Sequence, residues 1–255
     1  MGEAVLAGAL SAGWAASDVV ATVRTEAKAQ RLRETYRVAT TSDNVAAVRG
    51  AGLVLVGVKP KDVGALLDEI ASAIDPQAVV VTVAAGHPAA FYEQRLPAGV
   101  PVVRAVPNTP AAIGAGITAI APGRGATDAD LEAVEHLFSG TGAVVRAAEK
   151  DLNAVSAISG SGPAYIFYVA DALAEAGVLL GLTRDVARRL AVQTLLGASR
   201  LMDESGEHPV LLREKVTSPG GTTAAALRTL DDGGVRASFL AAATAARDRA
   251  DELGG

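Results

Sequence analysis

Short β-branched runs alternate with helix-patterned stretches through the first 148 residues of this chain, and then the alternation stops. The strand candidates are DVVATVR (18–24), residues 37–40, LVLVGV (53–58), AVVVTVAAG (78–86), VPVVRAVPN (100–108), GITAI (116–120) and AVVRA (143–147). Between them, residues 3–13, 26–36, 62–74 and 128–140 carry helical spacing, and Asn44 opens a further short helix. The longer strand runs are continuously apolar, as expected where both faces of a strand are buried. Such alternation predicts a parallel sheet covered by helices. From Glu149 onward the pattern is helical only, in stretches at 163–180, 184–205, 209–216, 222–231 and 234–253. The expectation is an α/β domain over 1–148 and an all-α domain over 149–255.

Composition narrows the chemistry. The net charge is −5 with no basic block, which argues against nucleic acid as a partner. With no cysteine, disulfides, thiolate metal sites and cysteine nucleophiles are excluded. His87, His136 and His208 show no metal-ligand spacing, so no metal is expected. No apolar run reaches membrane-span length and no signal-peptide pattern opens the chain, which gives a cytoplasmic expectation.

A dinucleotide site of this class begins with a strand, a G-x-G-x-x-G turn and a helix, the glycines letting the backbone approach the pyrophosphate. Here helix sequence follows Met1-Gly2 at once, and Gly2 stands where the last glycine of that fingerprint would stand. The first strand of the domain is therefore read as missing. Either the true start lies upstream, or the motif has been lost. The first is favoured, because loss of a central strand would expose apolar edges. Arg24-Thr25 follow the first visible strand, where the adenosine ribose is read. Arg with a hydroxyl neighbour suits a 2′-phosphate, so the reading leans to NADPH, with NADH possible; a solvated surface arginine is the plain alternative. Val58-Lys59-Pro60 and Ala84-Ala85-Gly86 end two buried strands with small residues that leave room for a flat ring, although Pro and Gly end strands everywhere. Pro107-Asn108-Thr109-Pro110 stiffens another strand end, where Asn and Thr either bond a substrate or cap a turn.

In the helical half, Ser159-Gly160-Ser161-Gly162-Pro163-Ala164 reads as a helix start, with Ser161 as cap and Pro163 in the first turn. Thr217-Ser218-Pro219-Gly220-Gly221-Thr222-Thr223 precedes another helix. Its glycines and threonines present backbone N–H groups and hydroxyls suited to a carboxylate at the positive end of a helix dipole. A plain turn before a capped helix is the alternative.

The stretch LREKVTSPGGTTAAALRTLD (212–231), SGSGPA (159–164), VKP (58–60) and PNTP (107–110) together resemble the pyrroline-5-carboxylate reductase family, in the family's order and over the whole chain. The resemblance implies an α/β Rossmann-like N-terminal domain, its first strand missing here, and an all-α C-terminal domain that dimerises by interlocking helices, with rings of dimers known. It implies reduction of 1-pyrroline-5-carboxylate to L-proline by hydride from NAD(P)H, the last step of proline biosynthesis. Asn44, Val58, Lys59, Pro60, Ala84 and Ala85 would line the cofactor site, with Arg24 and Thr25 near the adenosine ribose phosphate. Ser218, Gly220, Gly221, Thr222 and Thr223 would hold the substrate carboxylate and ring nitrogen, with Thr223 bonding that nitrogen, and Glu207 would lie near it. Two other readings are carried. A related imine or β-hydroxyacid reductase would bring a lysine from the helical half, but Lys150 and Lys215 are the only lysines after Lys61 and neither sits in such a motif. A catalytically impaired paralogue would lack the pyrophosphate turn and only co-assemble.

Overall fold

The structure, a computed structural model, describes residues 1–254. It divides into two compact units. The first runs from Met1 to Ser161 and takes in the end of the last helix from Ala246; the second is Gly162–Ala245.

The first unit runs α1 (Gly2–Ser11), β1 (Val20–Thr22), α2 (Glu26–Tyr36), β2 (Ala39–Thr41), α3 (Asn44–Val48), β3 (Leu53–Val56), α4 (Pro60–Ile70), β4 (Val79–Thr82), α5 (Ala89–Glu93), β5 (Val102–Pro107), β6 (Gly116–Pro122), α6 (Asp128–Phe138), β7 (Gly142–Arg146) and α7 (Leu152–Val155). Strands β3-β4-β5-β6-β7 form one sheet in that order. Strand side chains alternate between its faces. Val80 and Val102 join Val63, Leu67 and Ile70 of α4 and Tyr92 of α5 on one face. Val79, Val81 and Val103 join Val5 and Ala9 of α1 and Val134 and Phe138 of α6 on the other. Each fully buried valine or leucine contributes roughly 1.5–3 kcal/mol. Helix α6 starts on a capping box, Thr127 Oγ1 accepting from the Asp130 N–H while the Asp130 carboxylate accepts from the Thr127 N–H.

Helix α1 lies unusually close to the turn before β7. A Cβ on Gly140 would stand 2.0 Å from the Gly8 carbonyl oxygen, and one on Gly8 would stand 2.4 Å from Thr141 Cγ2. Only glycine at both positions permits that approach.

Three expectations are corrected here. The sheet is not wholly parallel, because β6 runs antiparallel to β5, pairing Ala105 with Ile120 and Pro107 with Thr118. Only residues 108–115 separate these strands, and a parallel return needs a crossover of a dozen or more residues. The strands are also shorter than the apolar runs. β3 stops at Val56, before Val58; β4 stops at Thr82, whose hydroxyl accepts from the Ala84 N–H; and β2 starts at Ala39, because Arg37 takes a left-handed conformation (φ 60°) that ends α2. Finally, Ser161 is no N-cap. Its φ and ψ are −84° and −22°, and its N–H donates to Ser156 O at 2.8 Å, five residues back. A cap residue is extended. The chain instead passes through a π turn over Ser156–Gly160 into the next helix.

Strands β1 and β2 pair in parallel as a ladder of their own, and among the described residues no ladder joins β1 to β3. A doubly wound sheet ordered 3-2-1-4-5-6 places its first strand at that position.

The second unit comprises α8 (Gly162–Leu179), α9 (Arg184–Ser205), α10 (Pro209–Lys215), α11 (Thr222–Asp232) and α12 (Val235–Gly254) up to Ala245. α8 and α9 pair along small residues. Ala174, Ala187 and Ala191 are buried, and a Cβ on Gly177 would meet Ala187 Cβ at 2.7 Å. Among the described residues no helix is long and apolar enough to cross a membrane, and no group of three His, Cys, Asp or Glu side chains could hold a metal ion.

Candidate active site

The expected cofactor residues all lie in the first unit, at the carboxyl ends of its strands or the helix starts that follow. Gly2 opens α1, and its Cα lies 3.8 Å from where a Cβ on Gly57 would stand, just beyond β3. Nothing lies within 4 Å of a Cβ built on Gly2. Val58, Lys59 and Pro60 are exposed; Lys59 is the extended residue before α4 and Pro60 its first residue, where a missing N–H carries no penalty. His87 donates its Nε2–H to the Pro60 carbonyl at 3.1 Å and stacks on Phe91 with ring centres 4.1 Å apart, which ties the end of β3 to the loop after β4. In that loop Ala84 is buried and Ala85 exposed. Asn44 sits at the start of α3 and donates from Nδ2 to the Glu69 carboxylate at 3.1 and 3.3 Å, while Asp43 caps the helix.

Arg24 and Thr25 are exposed and line a cavity of about 220 Å³ between the end of β1, α2 and the end of β2. Glu26 and Arg33 of α2, given no role by the sequence reading, share it with Thr40, Thr41 and Ser42. Arg33 of α2 donates from Nη1 to Thr40 Oγ1 at 2.7 Å and pairs with Glu26 through Nη2. The spacing could have found Arg33, since residues seven apart in a helix lie on one face and Glu26 opens α2. Two guanidiniums and several hydroxyls around one hollow fit a phosphate monoester.

Other polar groups were also missed. Thr82 and Tyr92 share a buried hydroxyl–hydroxyl hydrogen bond of 2.7 Å, and burial raises the Tyr92 pKa, so the phenol stays protonated well into the alkaline range. Glu149 accepts from the Ala89 N–H at 2.6 Å and from Arg104 at 3.1 Å. Asn108 of the PNTP turn has both ends of its amide engaged. Its Oδ1 accepts from the Ile117 N–H at 3.0 Å, and its Nδ2 donates to Ser159 O at 3.2 Å. Of the two uses the sequence left open, this one is a structural strap between PNTP and the start of SGSGPA.

The expected substrate residues lie in the second unit, at the start of α11. Gly220 adopts φ +66°, which its lack of a Cβ permits. The Gly221 N–H closes the turn on Ser218 O at 3.0 Å, and a Cβ on Gly221 would stand 2.3 Å from Ser218 Oγ. Gly221 is the N-cap residue, so no side chain caps α11. The first-turn amides of Thr222, Thr223 and Ala224 therefore have no intrahelical acceptor and point to the helix's positive end. Thr222 is exposed and Thr223 half-buried. Glu207, between α9 and α10, accepts from Lys215 Nζ at 2.6 and 2.5 Å, so its charge is partnered within the unit.

Comparison with known proteins bears on both halves. A family described as pyrroline-5-carboxylate reductase dimerisation matches residues 149–253, and one described as NADP oxidoreductase, coenzyme F420-dependent, matches residues 1–86. A pyrroline-5-carboxylate reductase of Corynebacterium melassecola is 44% identical over 257 positions, covering 100% of this chain and 95% of the relative. One from Mycobacterium tuberculosis is 44% identical over 276 positions, covering 99% and 93%. Among solved structures, a pyrroline-5-carboxylate reductase from Coxiella burnetii superposes with a TM-score of 0.95 at 34% identity, covering 100% of this chain and 95% of that one. A Plasmodium falciparum pyrroline carboxylate reductase with NADP bound gives 0.86 at 25% identity, covering 100% and 95%. Sheet and helical unit, the uncapped α11 start and full-length likeness thus agree, and the chain belongs to the pyrroline-5-carboxylate reductase family.

Proposed function

We propose that this protein reduces 1-pyrroline-5-carboxylate to L-proline with a nicotinamide cofactor, NADPH in preference to NADH. The reading includes a homodimer or ring of dimers in the cytoplasm, with residues 149–255 as the substrate-binding and dimerisation half. The observation that carries it is the uncapped start of α11 behind Gly220-Gly221, in a chain of this family. The free first-turn amides and the helix dipole suit a carboxylate, and the glycines keep side chains out of its way. The cofactor site is assigned to Gly2, Arg24, Thr25, Asn44, Val58, Lys59, Pro60, Ala84 and Ala85.

When bound, the nicotinamide supplies the hydride that reduces the C=N carbon of the substrate. The protein's part is to bind, orient and manage one proton at the ring nitrogen. Thr222 and Thr223 amides anchor the acid group, and the Thr223 hydroxyl hydrogen-bonds the ring nitrogen, donating to it in the neutral imine and accepting from its N–H in the protonated one. A protonated imine is the better electrophile, and a carboxylate beside the nitrogen favours that form; Glu207 takes that part only when it exchanges its Lys215 partner for the substrate.

Thr223→Ala should lower kcat for imine reduction by roughly 10²-fold, on the scale of a positioned proton donor, with the melting temperature little changed. Steady-state assay beside thermal melts decides this, and unchanged turnover would defeat the role of Thr223.

A further inference from the structure

We infer that Arg33 is the residue that discriminates a 2′-phosphorylated adenosine from a plain one, and that Glu26 is its built-in competitor. The inference rests on the proposed cofactor reading and adds to it a residue on α2 that no motif marks. Arg33 and Arg24 both line the hollow beyond β1, with the hydroxyls of Thr25, Thr40 and Ser42 around them. Thr40 Oγ1 accepts from Arg33 Nη1, which holds the guanidinium plane against the end of β2. The remaining guanidinium edge pairs with Glu26, the first residue of α2.

That pair is easily exchanged. The Arg33 and Glu26 side chains are 43% and 79% exposed, and an ion pair so wet contributes little net stability. A phosphate dianion offers the guanidinium more charge and a better fork geometry than one carboxylate. A phosphate in this hollow would take the Arg33 edge from Glu26 while Thr40 keeps the guanidinium in place. An adenosine without the 2′-phosphate has no anion to offer, so Arg33 stays on Glu26 and adds nothing to its binding.

The test is equilibrium calorimetry on the full chain with adenosine 2′,5′-bisphosphate and adenosine 5′-monophosphate, which differ only in the 2′-phosphate. Arg33→Met should weaken the bisphosphate by about tenfold or more, the scale of one charge-assisted hydrogen bond, and leave the monophosphate unchanged. Glu26→Gln should tighten the bisphosphate several-fold, because it removes the carboxylate that competes for Arg33, and leave the monophosphate unchanged. Wild-type protein that binds both probes equally would overturn the NADPH reading and this inference with it. Wild-type preference retained in Arg33→Met would overturn the inference alone and leave discrimination to Arg24. Should Arg33→Met lose both probes through misfolding, Glu26→Gln decides: a tighter bisphosphate supports the competition, and an unchanged one overturns it.

Discussion

The five-stranded sheet and the helices α8 and α9 are built from similar apolar residues, used to opposite ends. In the sheet unit Phe138 is 0% exposed, and Val79 to Val81 are buried between helices on both faces. In the helical unit Phe167 is 66% exposed, and Ile166, Tyr168, Leu190 and Leu196 are exposed with it; the residues it buries are alanines. The first unit closes its own apolar surface, while the second leaves large side chains in water. Exposed apolar area on that scale marks an association surface, and residues 149–253 match the family's dimerisation region.

The largest expected effect tests this contrast directly. Phe138→Ala should destabilise the sheet unit by about 3–5 kcal/mol. Phe167→Ala should leave monomer stability within about 0.5 kcal/mol, but shift the protein toward smaller species by light scattering. It should also remove the concentration dependence of melting that a dimer confers. Equal destabilisation by the two changes at high dilution would break the comparison. A middle effect probes how the sheet unit manages polar groups. Asn108→Ala leaves the Ile117 N–H and Ser159 O unpaired, and should cost about 1–3 kcal/mol in urea unfolding, with little change in substrate KM. A large KM change would return Asn108 to a binding role.

The smallest effect concerns pH. Arg31 donates to both Glu3 oxygens at 2.6 and 2.5 Å and holds the Glu3 carboxyl below its ordinary pKa of 4.5, against a smaller desolvation effect. A depressed carboxyl adds stability above its unfolded pKa and loses it as pH falls through the folded value. Because the pair is partly exposed, Glu3→Gln should cost below about 1 kcal/mol near neutral pH and flatten the acid limb of thermal melts. An identical acid limb in the variant would show that α1 and α2 are not coupled by charge.

Much of the fold was legible, because burial on two faces writes itself as continuous apolar runs. Helix α2 was read at 26–36 and α9 at 184–205, and both stand there. The direction of β6 was legible too, from the short 108–115 connection, but the alternation of strands and helices masked it. Strand ends were not legible. Val58 continues the apolar run of β3 yet lies past its end, because pairing with β4 stops at Thr82 opposite Val56. In the site, glycines and threonines before α11 could be read, since backbone geometry there depends on neighbours in sequence. The Glu26–Arg33 spacing along α2 was readable, but Asn108 could not be assigned, because its partner Ser159 lies 51 residues away.

By itself the sequence determined the strands and the longer helices (though not the short α5 and α7), where β-structure ceases, and which bend exposes amides at the head of α11. These follow from periodicity, side-chain volume and local backbone freedom, all short-range properties of the chain. Only the tertiary structure decided that β1 and β2 form a ladder apart from β3–β7 and that Asn108 is a strap. It likewise decided that Arg33 shares a hollow with Arg24. Those outcomes depend on which hydrogen-bonding edges and charged ends meet in space, and sequence distance carries no record of that.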